Sequence, residues 1–230
     1  MNHSNSPNNA TTASPATASS SSTGSIVDFL TVARGLKTTL RTGWVRQEAS
    51  PRIESVADHS WRISLMAMVA AGQQDTDSGV DTNRLLQMAL VHDLAESTVG
   101  DITPHCGVSD KDKYQMELDA MQKLTDKLGE KQGKHLLDLW KEYEKGESME
   151  AKLCKDLDKL EMILQAQEYE TDGQNKKSLD GFFDSTRDKW RTELGAAWGA
   201  EIEARRPSKT KATTDSTEEP SSKKQKTSEE

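Results

Sequence analysis

Leu85-Leu86-Gln87-Met88-Ala89-Leu90-Val91 is apolar at six of seven positions, and it runs directly into His92-Asp93-Leu94-Ala95-Glu96. The apolar density predicts a deeply buried helix, with Asp81 or Thr82 as its N-cap. Ionisable groups carried into such a run are costly unless they are paired or hold a metal. Adjacent helical residues lie about 100° apart, so His92 and Asp93 can reach one ion at their shared edge. Glu96 is four residues from His92 and three from Asp93, which puts it on the same side. Asp101 follows just past Gly100. Four polar groups from so short a stretch make most of a divalent-cation site. A lone His-Asp pair reads equally well as a hydrogen-bonded core histidine, so the neighbouring segments have to decide.

Working outward, every periodic segment reads as helix. Residues 26–40 carry apolar side chains at helical spacing, and Arg41-Thr42-Gly43-Trp44 is expected to break that helix. Ser55-Val56-Ala57-Asp58 has the S-x-x-D start pattern, and Val56, His59, Ile63 and Met66 form one stripe that ends at Gly72. His59 alone has the same bland alternative as His92. Residues 73–79 read as a polar loop, and Gly100, Pro104 and Gly107 mark another. Segments 111–128 and 131–145 are amphipathic. Segment 149–169 carries Leu153, Leu157, Leu160 and Leu164 in a stripe, and 178–206 is expected to form one or two helices. No alternating β-branched run, hairpin signal or repeat is present. The fold class expected is all-α.

The composition fits one such domain between two tails. The chain has 230 residues, 33% hydrophobic and 5% aromatic, with a formal net charge of −8. That is apolar-poor for a packed globule. Residues 1–24 hold no Asp, Glu, Lys or Arg, and residues 207–230 hold one apolar side chain, Ala212. Low-hydrophobicity ends of this kind are expected to be disordered. Charges in the second tail cancel, so the whole −8 belongs to residues 25–206, a domain of ordinary size. An acidic domain makes a poor binder of polymeric nucleic acid. The run from Leu65 to Gly72 is too short to span a bilayer. No signal-peptide pattern stands at the N-terminus, and Cys106 and Cys154 form neither a disulfide framework nor a zinc spacing. A cytoplasmic location is expected, with a nuclear one as the alternative; Arg205-Arg206 and the Lys223-Lys224-Gln225-Lys226 cluster read first as a solvated mixed-charge tail and only second as a weak nuclear-import signal.

Three motifs now stand in order: Glu54-Ser-Val-Ala-Asp-His59; His92-Asp93-x-x-Glu96-x-x-x-Gly100-Asp101; and Leu157-Asp158-x-x-Glu161-Met-Ile-Leu-Gln-Ala166. Together they resemble the HD-domain metal-dependent phosphohydrolases, whose pattern is H…HD…D, and within them the 5′-deoxynucleotidase branch. The resemblance covers about residues 26–169. It implies a helical bundle with His59, His92, Asp93 and Asp158 as ligands of one divalent ion. By helical projection Asp156 lies nearer the leucine stripe, so periodicity alone favours Asp156; the family motif places the ligand at Asp158. Glu96 and Asp101 are implied at the active site, as catalytic groups or, with the Ile102 backbone carbonyl, as ligands of a second ion. For Asp101 a loop-capping role is the alternative.

The implied reaction is hydrolysis of deoxynucleoside 5′-monophosphates to deoxynucleosides and phosphate. A mixed N/O ligand set suits Mn, Co, Fe or Zn, with Mg less typical. Some bacterial members carry Arg-Trp before the first motif. Here Thr42-Gly43-Trp44 stands in that place, leaving Arg41, Arg46 or Arg62 to meet the phosphate and Trp44 to stack on a base or pack the core. Related enzymes are often homodimers, and residues 111–145 offer an interface. The competing expectations are the same metal site acting on a cyclic, triphosphate or signalling nucleotide, and a non-catalytic helical interaction protein.

Overall fold

Residues 22–73 and 79–206 are described by the computed structural model. Among them the chain forms ten α-helices and no strand: α1 (Thr23–Ala33), α2 (Thr42–Gln47), α3 (Val56–Gln73), α4 (Thr82–Val91), α5 (Glu96–Val99), α6 (Asp110–Thr125), α7 (Gly129–Lys145), α8 (Met149–Asp172), α9 (Asp180–Thr186) and α10 (Glu193–Ala204). The all-α expectation holds. Residues 1–21, 74–78 and 207–230 lie outside the described residues, and with them most of both expected tails and the expected 73–79 loop.

Local chemistry sets the helix starts. Ser22 Oγ accepts from the Ser25 amide, Asp81 from Arg84, Ser109 from Asp112 and Ser148 from Ala151. At α3 the S-x-x-D pattern closes reciprocally: the Ser55 amide donates to Asp58 Oδ2 at 2.9 Å and the Asp58 amide to Ser55 Oγ at 3.2 Å. Gly146 ends α7 and Gly173 ends α8 in the left-handed region, where a Cβ would be strained.

Four expectations are corrected. The first helix does not reach Leu40: it passes into a 3₁₀ turn at Arg34–Lys37, and Leu40 bridges Ser55 in extended backbone. Gly35 packs there so tightly that a Cβ would lie 2.4 Å from the Ser97 carbonyl oxygen. Second, the Arg41–Trp44 break is the start of α2, because the distant Asp101 carboxylate accepts the Thr42 amide at 2.6 Å and caps the helix across the fold. Third, α4 stops at Val91, so His92 and Asp93 sit in a turn; the Leu94, Glu96 and Ser97 amides bond three residues back rather than four. Fourth, α4 is buried on one side only, since Leu90 is 51% exposed.

Two apolar clusters build the core. One gathers Ile63 and Ala67 of α3, Leu85 and Met88 of α4, and Leu153, Leu157 and Leu160 of α8, with Phe183 and Ile202 against them. The other gathers Met121, Leu124, Leu139 and Trp140 of α6 and α7 with Val56, Val91 and Leu94. Met88 and Ala89 belong to the first cluster, while Val91, Leu94 and Ala95 belong to the second. The His92-Asp93 turn therefore lies on the seam between them. No described helix is long and apolar enough to cross a membrane.

Candidate metal centre and active site

The seam opens into a cleft of about 400 Å³ lined by Arg41, His92, Asp93, Glu96, Asp101, Ile102, Lys113, Glu117, Tyr143, Lys155 and Asp158, among others. Asp93 Oδ2 is its hub. It lies 3.2 Å from His92 Nε2, 3.6 Å from His59 Nε2 and 3.4 Å from Arg41 Nη1. Asp158 Oδ1 stands 3.2 Å from His59 Nε2. Three separate elements deliver these groups: α3 carries His59, the turn after α4 carries His92 and Asp93, and α8 carries Asp158. The four residues of the H…HD…D pattern thus converge.

Each imidazole is oriented from behind. His92 Nδ1 sits 2.8 Å from the Ala89 carbonyl oxygen, and His59 Nδ1 sits 2.5 Å from Glu161 Oε2. Each ring thus sets Nδ1 against an oxygen behind it and turns Nε2 to the cleft. His59 Nε2 and His92 Nε2 are buried with no hydrogen-bond partner among the described residues, and so is Glu96 Oε2. The neighbouring carboxylates lie at ion-pairing distance without hydrogen-bond geometry. Buried polar atoms are rarely left in that state. Two unpartnered imidazole nitrogens facing two carboxylates fit a divalent cation, and a carboxylate behind a ligand histidine is a recurrent support for one.

Electrostatics agree. Burial and the Arg41 charge oppose a positive His59, yet Glu161 and Asp158 outweigh them and lift it to about 10. Burial alone would push Asp93 up, but His92, Arg41 and His59 hold its carboxyl well below the usual carboxylate range. Asp158 is likewise held low against burial by His59, His92 and Arg41. Glu96 differs: burial, with Asp93 and Asp101 beside it, raises its carboxyl well above the usual value. The cleft therefore favours positive charge at its centre and holds a carboxyl, Glu96, with a high proton affinity.

The other sequence candidates divide. Arg41 lines the cleft, with Nη1 between Asp93 Oδ2 and Asp101 Oδ1 at 3.4 and 4.0 Å. Asp101 lines it too, but its Oδ2 is taken by the Thr42 amide and its backbone carbonyl by Thr42 Oγ1 at 2.7 Å. Trp44 lies outside: it is 1% exposed, packs on Tyr169 and Phe182, and donates Nε1–H to Glu54 Oε1 at 2.7 Å. Arg46 is exposed at the end of α2 and does not line the cleft. Arg62 is on the far side of His59, where its Nε meets Glu161 Oε1 at 3.2 Å and its Nη1 meets Glu168 at 2.9 Å.

Asp156 and Asp158 part company. Asp156 is fully buried, as its place near the leucine stripe suggests, but it faces away from the cleft. Its carboxylate accepts from the Arg191 amide, the Thr192 amide and Thr192 Oγ1 at 2.8–3.0 Å, which fixes the start of α10. Asp158 Oδ2 accepts the Tyr143 hydroxyl at 2.8 Å. The residues that sequence reasoning missed are Tyr143, Lys113, Glu117, Lys155 and Glu161. Tyr143 follows Leu136, Leu139 and Trp140 on the apolar side of α7, a pattern visible in the sequence.

The sequence pattern of the HD domain matches residues 33–198. The chain belongs to the HD-domain family. The HD-domain chain is 41% identical over 186 residues to a curated 5′-deoxynucleotidase of Dictyostelium discoideum, covering 78% of this chain and 97% of that one. A crystal structure of a Pyrococcus horikoshii protein aligns with a TM-score of 0.64 at 31% identity, over 78% of this chain and 97% of that one. A structure described as a predicted metal-dependent phosphohydrolase, from Magnetospirillum magnetotacticum, aligns with a TM-score of 0.59 at 27% identity, over 79% and 95% of the two chains. The family and this neighbour imply a divalent metal, and the donors grouped at His59, His92 and Asp93 are of the right kind.

Proposed function

We propose that this chain is a metal-dependent 5′-deoxynucleotidase, a phosphoric monoester hydrolase that converts deoxynucleoside 5′-monophosphates to deoxynucleosides and phosphate. The observation that carries the reading is the pair of buried, unpartnered His59 and His92 Nε2 atoms meeting two carboxylates at a cleft. The curated relatives bearing that activity in their names supply the substrate class.

His59, His92, Asp93 and Asp158 would hold one divalent ion, with Mn or Co preferred and Fe, Zn or Mg admitted by the mixed N/O set. Glu96, Asp101 Oδ1 and the Ile102 carbonyl would face a second. A bound divalent ion draws charge off the phosphoryl oxygens and lowers the pKa of water beside it. Glu96 Oε2, buried in the cleft without a partner, accepts the proton of the attacking water. Arg41 holds a fixed positive charge against the phosphate, and Asp93 and Asp101 fix its direction. Glu161 keeps the His59 proton on Nδ1. Trp44 takes the packing role.

The reaction is expected in the cytoplasm, and the assembly is read as a homodimer. For the latter, α3 offers a broader exposed apolar face than residues 111–145, through Trp61, Leu65, Met68 and Val69. The deciding assay gives chelated protein dAMP, dCMP, dGMP, dTMP and their ribose counterparts, with Mn²⁺ or Co²⁺ restored. Phosphate release with a deoxynucleoside as co-product is expected. No release with any metal would overturn the assignment.

A further inference from the structure

An acidic cleft that takes a phosphate monoester needs cations that are not already neutralised. Of the three basic side chains lining it, Arg41 is paired with Asp93 at 3.4 Å and Lys113 with Glu117 at 3.5 Å. Lys155 differs. Among the described residues no carboxylate lies within ion-pairing distance of its ammonium, which instead sits 3.9 Å above the centre of the Tyr143 ring. That ring packs 5.0 Å from the His92 imidazole, and its hydroxyl donates to Asp158. The ammonium is therefore one aromatic ring away from the candidate metal ligands.

Its stem is also fixed. Gly146, at φ 65°, leaves room that Lys155 shares with Arg191: a Cβ there would lie 2.8 Å from Arg191 Nη1, 3.1 Å from Lys155 Cε and 3.3 Å from Cδ. The glycine backbone on one side and the Tyr143 face on the other hold a long, otherwise rotamer-rich side chain in one direction. A cation placed before the ligand arrives loses little entropy on binding, and it acts in a cleft where water does not fully screen it.

We propose that Lys155 is a phosphate-binding residue of this site, the preset cation that receives a non-bridging oxygen of the monoester and of the orthophosphate product. This rests on the phosphohydrolase reading above. The test is calorimetric titration of metal-loaded full-length protein with inorganic phosphate, beside steady-state kinetics on dAMP, for the parent, Lys155→Met and Lys155→Arg. Loss of a hydrogen bond to a charged group predicts phosphate affinity weaker by about 10- to 100-fold in Lys155→Met. KM for dAMP should rise in parallel, Lys155→Arg should recover most of both, and metal content and melting temperature should hold. Phosphate affinity within about twofold of the parent in Lys155→Met would overturn the proposal. So would a loss that appears only together with lost metal, since that marks collapse of the Tyr143–Asp158 pair. A parent that binds phosphate through Lys155 but hydrolyses no nucleotide would overturn the functional reading alone.

Discussion

Replacing Asp156 with Ala should unfold the chain more easily without touching the metal centre. The carboxylate is fully buried and accepts from two backbone amides, Arg191 and Thr192, and from Thr192 Oγ1, with Lys159 Nζ 3.5 Å away. Thr192 is in turn the N-cap of α10, taking the Gly195 amide at 3.0 Å. Alanine would leave two part-buried backbone donors without a partner, at about 1–3 kcal/mol each, and would loosen the cap above them. Breaking one side of a buried charged network costs about 3–5 kcal/mol, the middle of the roughly 2–6 kcal/mol that the two lost backbone bonds add up to. For a chain of this size that is a melting temperature lower by roughly 6–20 °C. Asp158→Asn keeps an acceptor for the Tyr143 hydroxyl and should cost less than about 2 kcal/mol while removing metal binding. The assay is thermal unfolding followed by circular dichroism in chelator, so that no bound ion contributes, beside metal titration of both variants. The reasoning fails if Asp156→Ala melts with the parent, or if Asp156→Ala rather than Asp158→Asn loses the ion.

Three further outcomes follow from the same contacts. Glu161→Gln removes the carboxylate behind His59 and should weaken divalent-metal affinity by about 10- to 100-fold; calorimetry that finds no change would show that His59 needs no such support. Glu96→Gln should lower kcat by about 10²- to 10⁴-fold with little change in KM, and a rise in KM alone would make Glu96 a binding group instead. Burial, opposed by Lys113 and reinforced by Glu144, pushes Glu117 up to about 7 from an ordinary 4.5. A raised folded-state value means this group's contribution to stability is full below about pH 4.5 and lost as pH rises through 7. Glu117→Gln should therefore gain on the parent in urea unfolding between pH 5 and 8, whereas a difference flat with pH would contradict the burial argument.

The helices and the convergence of His59 with His92-Asp93 were legible because both rest on local patterns: an apolar stripe at helical spacing, and ionisable groups where apolar ones belong. Asp158 was not legible that way. Periodicity reports burial, and α8 buries Asp156 for the distant Arg191–Thr192 backbone. Only the motif told the two apart. The end of α4 was misread for a related reason, since nothing in the apolar run signals that His92 turns out of the helix. Lys113 and Lys155 sit on amphipathic faces that look solvated in sequence, and only the packing of α6, α7 and α8 makes those faces the walls of a cleft. Trp44 is a candidate through the Arg-Trp place of related members and Arg62 as a substitute for the missing arginine, but α2 and α3 point both elsewhere.

The most direct test of the two-histidine, two-aspartate centre joins metal content to turnover. Parent protein and His92→Ala are stripped with chelator, titrated with Mn²⁺ or Co²⁺, and assayed for phosphate release from dAMP at each step. Chelation should abolish release in the parent, restored ion should recover it in proportion to occupancy, and His92→Ala should neither bind the ion nor recover. Phosphate release that persists in metal-free parent protein, or that returns in His92→Ala, would contradict the account.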